Sequence, residues 1–511
     1  MSSKDPQYTD VLIVGAGLSG IDAAYRIRER NPQLRYTIVE QRERIGGTWD
    51  LFRYPGVRSD SDIFTLSFPF RPWRKTRTIA EGDEIREYLE DTAREFGIDK
   101  NIRFGIRVES ADFDTTTDLW TVVGRSGDEE RVFTARFLYV CSGYYRYDEG
   151  YLPDFPGLEN FTGQVVHPQF WPEDLDYKGK KVVVIGSGAT AVTLIPSMAD
   201  DVEKITMLQR SPTYMMALPE SDIMTKAMLK LLPPTLAHKL LRIRNALGTF
   251  AFYLYCRLFP KLSRKTLRGI AKVMLPSDFP VDTHFKPSYA PWDQRLCVIP
   301  DGDLYTAISK GKADVVTDTI DHVAKNGIVL ASGQKLDADI IVTATGLQLV
   351  AFGGASISVD GVEFKPGDKY AYRGYMLNDV PNMAWSVGYT NASWTLRVDL
   401  TSQAVAKLLA YMGERGYTHA YPTANGAQMP HHALMELSSG YVQRAEGALP
   451  KASDRNPWLV RHNLVLDAID ARRYDLTEAM VFGTVAKTEN VATTPKSENV
   501  AKSGDTEALA G

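Results

Sequence analysis

Apolar residues gather in two short unbroken runs that each end in glycine: Val11-Leu-Ile-Val14 before Gly15, and Val182-Val-Val-Ile185 before Gly186. A run that is apolar at every position, not at alternate ones, has both faces covered, as in a parallel sheet between helices. After each glycine turn the apolar spacing becomes helical, over Ile21–Arg30 and from about Val192. A further strand follows each helix, Arg35–Glu40 and Lys204–Gln209. The unit strand, glycine turn, helix, strand therefore occurs twice. Between the copies the pattern predicts an amphipathic helix over Glu84–Phe96 and an antiparallel meander from Ile102–Val108, Trp120–Val123 and Arg131–Thr134. Buried strands ending in small residues follow at Phe137–Gly143 and Asp339–Gly346, and a long helix at about Leu396–Met412.

These elements predict an α/β chain with two Rossmann-like dinucleotide-binding domains, an FAD domain of the glutathione-reductase-like kind and an NADP domain, with a helical insertion. The expected limits are 1–150 with 381–484 for the FAD domain and 151–212 with 291–380 for the NADP domain. The insertion takes 213–290, and an Ala/Thr/Lys/Glu/Asn-rich tail, 485–511, has too few apolar residues to bury and is expected to be disordered.

Composition narrows the function. The 511 residues carry a net charge of only −4, which gives no global case for a nucleic-acid partner. Three cysteines, Cys141, Cys256 and Cys297, lie far apart with no CxxC, which argues for a reducing compartment and against both a structural zinc site and a dithiol redox centre; no metal is expected. With no apolar signal core at the N-terminus and no run long enough to span a bilayer, the expected location is cytoplasmic.

The first turn reads Gly15-Ala-Gly17-Leu-Ser19-Gly20. Its glycines permit a tight turn, close approach to a pyrophosphate, and close helix–strand packing, while the helix N-terminus offers free N–H groups. Glu40, twenty residues after Gly20, can hold an unphosphorylated adenosine ribose. The second turn reads Gly186-Ser187-Gly188-Ala189-Thr190-Ala191 and leads into Val192. After its next strand come Arg210 and Ser211, a cation and a hydroxyl suited to a 2′-phosphate. Acid in one unit and Arg in the other separate a flavin nucleotide from NADPH.

The loop Gly46–Asp60, with paired glycines, aromatics and Pro55-Gly56, is irregular and can close over a flat ring. Asp60 is a candidate site carboxylate, or else an Asx-turn or helix cap before Ile63. Arg295 sits among apolar residues and needs an anionic partner or a ligand. The insertion has no acid between Asp222 and Asp278 but eleven Lys and Arg residues among apolar ones, a solvated basic face or a peripheral membrane patch, the latter extending the expected location to the inner membrane surface. The linker Phe161–Pro172 joins the two units.

A flavin and a nicotinamide site on one chain imply hydride transfer between them. Without a cysteine pair, iron–sulfur or haem ligand spacing, the electrons go to dioxygen or a diffusible acceptor. On a reduced flavin, dioxygen gives a C4a-peroxyflavin, which attacks a carbonyl carbon while deprotonated; an Arg beside it would stabilise that charge.

The linker matches FxGxxxHxxxW(P/D) through Phe161, Gly163, His167, Trp171 and Pro172, and Gly46–Asp60 matches [AG]GxWxxxx[FY]P[GM]xxxD at every fixed position. With both glycine turns, the chain to about residue 480 resembles the type I (class B flavoprotein) Baeyer–Villiger monooxygenases and is similar to their ethionamide-activating branch. The resemblance implies an FAD- and NADPH-dependent enzyme that inserts one oxygen atom of O2 beside a ketone carbonyl, giving an ester or lactone. It implies Arg295 and Asp60 as the paired catalytic residues. Beside the glycine turns, the expected cofactor contacts are Gly47, Thr48, Trp49, Arg58, Ser59 and Asp60 from the aromatic loop, and Val108. Many members have Lys before the catalytic Arg; Gln294 stands there, which shifts NADPH preference onto Arg210 and Ser211. Sulfoxidation is an expected side activity. An N- or S-oxygenating flavin monooxygenase and an NADPH oxidase or flavin reductase are the alternatives.

Overall fold

The computed structural model describes residues 6–435 and 437–485. The tail expected at 485–511 lies, apart from Val485, outside the described residues.

Two sheets organise the molecule, the first mixed and the second parallel throughout. In the first, Gln7–Val14 is flanked by Tyr36–Val39 and by Glu129–Val140, all parallel. Ile102–Arg103 extends it beyond Tyr36–Val39, and Met383–Trp385 adds parallel to Leu138–Val140. Four of the eight residues of the central strand, Val11, Leu12, Ile13 and Thr9, are at most 2% exposed, as the unbroken apolar run requires.

The predicted meander is redistributed. Ile102–Arg103 belongs to the parallel sheet, and the meander proper is Arg107–Asp114, Leu119–Ser126 and Glu129–Val140. The last is one twelve-residue strand where sequence pattern suggested two. Glu129–Ala135 pair with the meander and residues from Phe133 to Val140 with the central strand, so its neighbours change along its length. Ser356–Val359 pairs parallel with Arg107–Asp114, so this sheet takes chain from before residue 381.

The second sheet has the order Ala313–Thr317, Lys204–Gln209, Lys181–Ile185, Ile340–Thr343, Gln164–Val166, all parallel. Its edge strand comes from the linker. Gly163 precedes that strand because a Cβ there would overlap the Asp339 carbonyl oxygen and crowd the Phe161 ring.

Of residues 213–290, most are helical: Ile223–Leu231, Pro234–Leu258 and Pro260–Met274. Met215–Leu218 is instead a strand parallel to Cys297–Pro300. The 25-residue helix reaches across to the first unit. Arg242 donates to the Phe64, Thr65 and Ser67 carbonyl oxygens at 3.1, 2.8 and 2.6 Å, satisfying the open C-terminal end of the short helix Ile63–Leu66.

Candidate active site

A cleft of about 1450 Å³, its mouth included, opens above the C-terminal ends of the first sheet's strands. The first glycine turn forms one wall. Gly15 has φ +106°, and a Cβ there would press on the Cys141 carbonyl at 2.6 Å. A Cβ on Gly17 would lie 3.5 Å from the Gly47 Cα, so the two loops present bare backbone to the cleft. Gly20 does not line the cleft; a Cβ there would overlap the Gly15 carbonyl oxygen, so its place is in helix–strand packing.

Glu40 follows Val39, which lies opposite Val14. Its carboxylate accepts from Ala16 N at 2.7 Å and Arg42 N at 2.9 Å. Burial pushes its pKa up against the pull of those two N–H groups. Each oxygen keeps capacity for a further donor from the cleft.

The loop after the first unit is not wholly irregular, since Thr48–Leu51 forms one helical turn. Gly47, Thr48, Trp49, Ser59 and Asp60 line the cleft, as do Ser19 and Val108. Arg58 does not: its guanidinium points away to Asp303, at 2.5 Å. Within the loop, Arg58 thus faces the second unit and not this cleft.

Arg295 donates to the Asp60 carboxylate at 2.8 Å, and both line the cleft. The Asp60 charge, ahead of the opposing cost of burial, holds the guanidinium firmly protonated. The cap before Ile63 falls to Asp62, which accepts from Thr65 N at 3.0 Å. Arg295 is set by the turn before it, where Asp293 accepts from Ala290 N at 2.9 Å, and by the strand after it, Cys297–Pro300.

Three tyrosines that the sequence reading passed over surround this pair. Tyr144 and Tyr145 line the cleft, their hydroxyls 3.3 Å apart, and Tyr441 lies close enough to interact electrostatically with Arg295. Burial pushes the Tyr145 pKa up to about 12 and raises the other two as well, so all three remain O–H donors at neutral pH. The run Cys141-Ser-Gly-Tyr-Tyr145, at the end of a buried strand, held a signal for two of them; Tyr441 is brought in only by the fold. Trp394, at the start of the helix Trp394–Arg415, closes another side and donates to Ser19 Oγ at 3.0 Å.

The second glycine turn is built alike. Gly186 has φ +137°, and a Cβ there would overlap the Ala344 carbonyl oxygen. A Cβ on Gly188 would meet nothing within 4 Å, so space lies open over the turn. Ala189, Thr190, Ala191 and Val192 form the first turn of the helix Ala189–Met198. Ser187 Oγ contacts Thr213 Oγ1 at 2.8 Å and donates to the Ser211 carbonyl at 3.3 Å. Ile185 lies opposite Leu208, so Gln209 takes the step that Glu40 takes in the first unit. Gln209 is buried, donating to the His284 carbonyl and Thr317 Oγ1. Arg210 comes one step later, exposed and with no ion pair among the described residues.

The linker is pinned between these turns. His167 Nδ1 accepts from Gln169 N at 3.2 Å, and a Cβ on Gly150 would run into its ring. Gln169 Nε2 donates to the Arg146 and Tyr147 carbonyls, both at 2.9 Å. Among the described residues no group of acids, histidines and cysteines has the makings of a metal site.

Residues 9–231 match the model of a family described as flavin-binding monooxygenase-like. FAD-containing monooxygenase EthA of Mycobacterium tuberculosis is 49% identical over 91% of this chain and 96% of its own. This chain belongs to the flavin-binding monooxygenase-like family. As a family member it is also 45% identical to the probable FAD-binding monooxygenase AlmA of Acinetobacter baylyi, over 92% of this chain and 95% of that one. An oxidised steroid monooxygenase bound to NADP shares the fold, with a TM-score of 0.75 at 24% identity, over 94% of this chain and 100% of that one. The two-sheet arrangement is thus that of a flavoprotein monooxygenase with two dinucleotide-binding domains.

Proposed function

We propose that this chain is a Baeyer–Villiger monooxygenase: a ketone, O2, NADPH and a proton give an ester or lactone, water and NADP⁺. The observation that carries it is the Arg295–Asp60 pair inside the flavin-side cleft, which Tyr144 and Tyr145 also line. The residues fit the two cofactors. Bare backbone at Gly15, Gly17 and Gly47 admits a pyrophosphate, and Glu40 offers its carboxylate to a ribose. Open space over Gly188 and the uncommitted Arg210 suit a 2′-phosphate. The names of the relatives support FAD, and the steroid monooxygenase holds NADP.

When bound, a reduced flavin supplies the activation of dioxygen. The protein's part is electrostatic. Arg295 presents fixed positive charge where negative charge develops on oxygen, and Asp60 holds it in place without cancelling its outward N–H groups. Tyr144 and Tyr145 stay protonated and can donate. Trp394 and Trp49 supply apolar wall to the cleft.

The test is product analysis with ¹⁸O-labelled dioxygen over a panel of ketones. One labelled oxygen in the ester supports the proposal. Peroxide without ester indicates an oxidase, and oxidised sulfide without ester indicates an N- or S-oxygenating enzyme.

A further inference from the structure

The 25-residue helix Pro234–Leu258 is apolar on two opposite sides. Its inner side buries Ala237, His238 and Leu241. Its outer side carries Leu236, Leu240, Ile243, Leu247, Leu254 and Leu258, between 37% and 68% exposed. Their spacing of three, four or seven residues keeps them in a single stripe along the helix. An ordinary surface helix turns charge outward at those positions. The apolar surface continues past the helix end, with Phe259 57% and Leu262 53% exposed on the way into Pro260–Met274.

Charge frames the stripe. Lys226, Lys230, Lys239, Lys261, Lys265 and Lys272 are all exposed and make no ion pair among the described residues. No acid occurs from Ile223 to Ser277. A symmetric pairing of two copies through this face would set the same lysines against one another. An anionic lipid surface offers both partners that the face lacks, negative headgroups for the lysines and hydrocarbon for the stripe. None of the described helices is long and apolar enough to cross a membrane, so the geometry is that of lying on the surface.

We infer that the helices 223–274 dock this protein on anionic membranes, the leucine stripe seated at the headgroup–acyl boundary. Tyr253 and Arg257 of the same helix line a second cavity of about 670 Å³, its mouth included, with Trp292, Asn391 and His462. Docking places that cavity on the flank of the helix that meets the lipid. On the reading of the site as a ketone oxygenase, the substrate class is then a ketone that partitions into lipid.

The experiment is sedimentation of the FAD-loaded protein with vesicles, which needs no turnover and so separates this inference from the assigned reaction. Vesicles of phosphatidylglycerol with phosphatidylcholine should pellet at least tenfold more protein than phosphatidylcholine alone, with release in high salt. The variant Leu240→Asp/Leu247→Asp/Leu258→Asp should lose pelleting while keeping its flavin absorbance and melting temperature, since these side chains already face water. Equal pelleting with both vesicle types overturns the inference. So does a stripe variant that still pellets but changes from dimer to monomer by light scattering.

Discussion

Asp60 and Asp62 lie two residues apart and have different partners. Asp62 caps a helix, and Asp60 is left free to pair with Arg295. Sequence pattern alone left a capping role open for Asp60. Replacing Arg295 with alanine should leave FAD bound and lower ester formation by about 100-fold or more, the scale of losing one preorganised donor. Peroxide release should persist. Product assay with a peroxide assay checks both, and full ester yield would remove Arg295 from the reaction. Arg210 is one step beyond the Glu40-equivalent position, and the equivalent residue, Gln209, is turned into the core. Arg210→Ala should therefore raise KM for NADPH about tenfold, the worth of roughly 1.4 kcal/mol, and leave KM for NADH nearly unchanged. Equal changes in both would place the 2′-phosphate elsewhere.

At the scale of elements, the aromatic loop is the joint between the sheets. Gly56 has φ +74°, and a Cβ there would overlap Ser197 Oγ on the helix that follows the second glycine turn. Its glycine is thus required twice over, by conformation and by close approach. Gly56→Ala should lower stability by about 2 kcal/mol or more, with a lower melting temperature, and Ser197→Gly in the same chain should recover only the clash component. Full recovery would mean that conformation costs nothing there. The long insertion helix is anchored in the same region through Arg242 and through His238, whose Nε2 contacts the Phe68 carbonyl at 3.2 Å. Nothing in the local pattern of residues 223–258 announces that attachment, because its acceptors are backbone carbonyls far away in sequence.

Across the whole molecule, the interlocking of insertion and first unit makes stability depend on pH. Burial, and secondarily the Arg242 charge, push the His238 pKa down to about 4. His238 is therefore neutral when folded and protonates more readily when unfolded. Its stabilising contribution is present above the unfolded value near 6.5 and is lost as pH falls toward 4, by up to about 3 kcal/mol. His462, pushed down to about 4 by burial and by Arg397, acts in the same sense. Melting temperature should fall steeply between pH 6.5 and 4, and His238→Gln should flatten that slope; an unchanged slope would place the titration elsewhere.

The strands Gln7–Val14 and Lys181–Ile185, their glycine turns and the acid at Glu40 were legible locally, because buried parallel strands and phosphate-binding turns impose their chemistry on adjacent residues. The partnership of Asp60 with Arg295 was suggested by family resemblance and placed by the fold, since 235 residues separate them. Tyr441 beside Arg295, Arg58 turned to Asp303, and Ser356–Val359 joined to the first sheet were decided by tertiary structure alone. Periodicity along a chain records which face of a residue is buried. It does not record which distant residue buries it, and that is settled only when sheets, linker and insertion pack together.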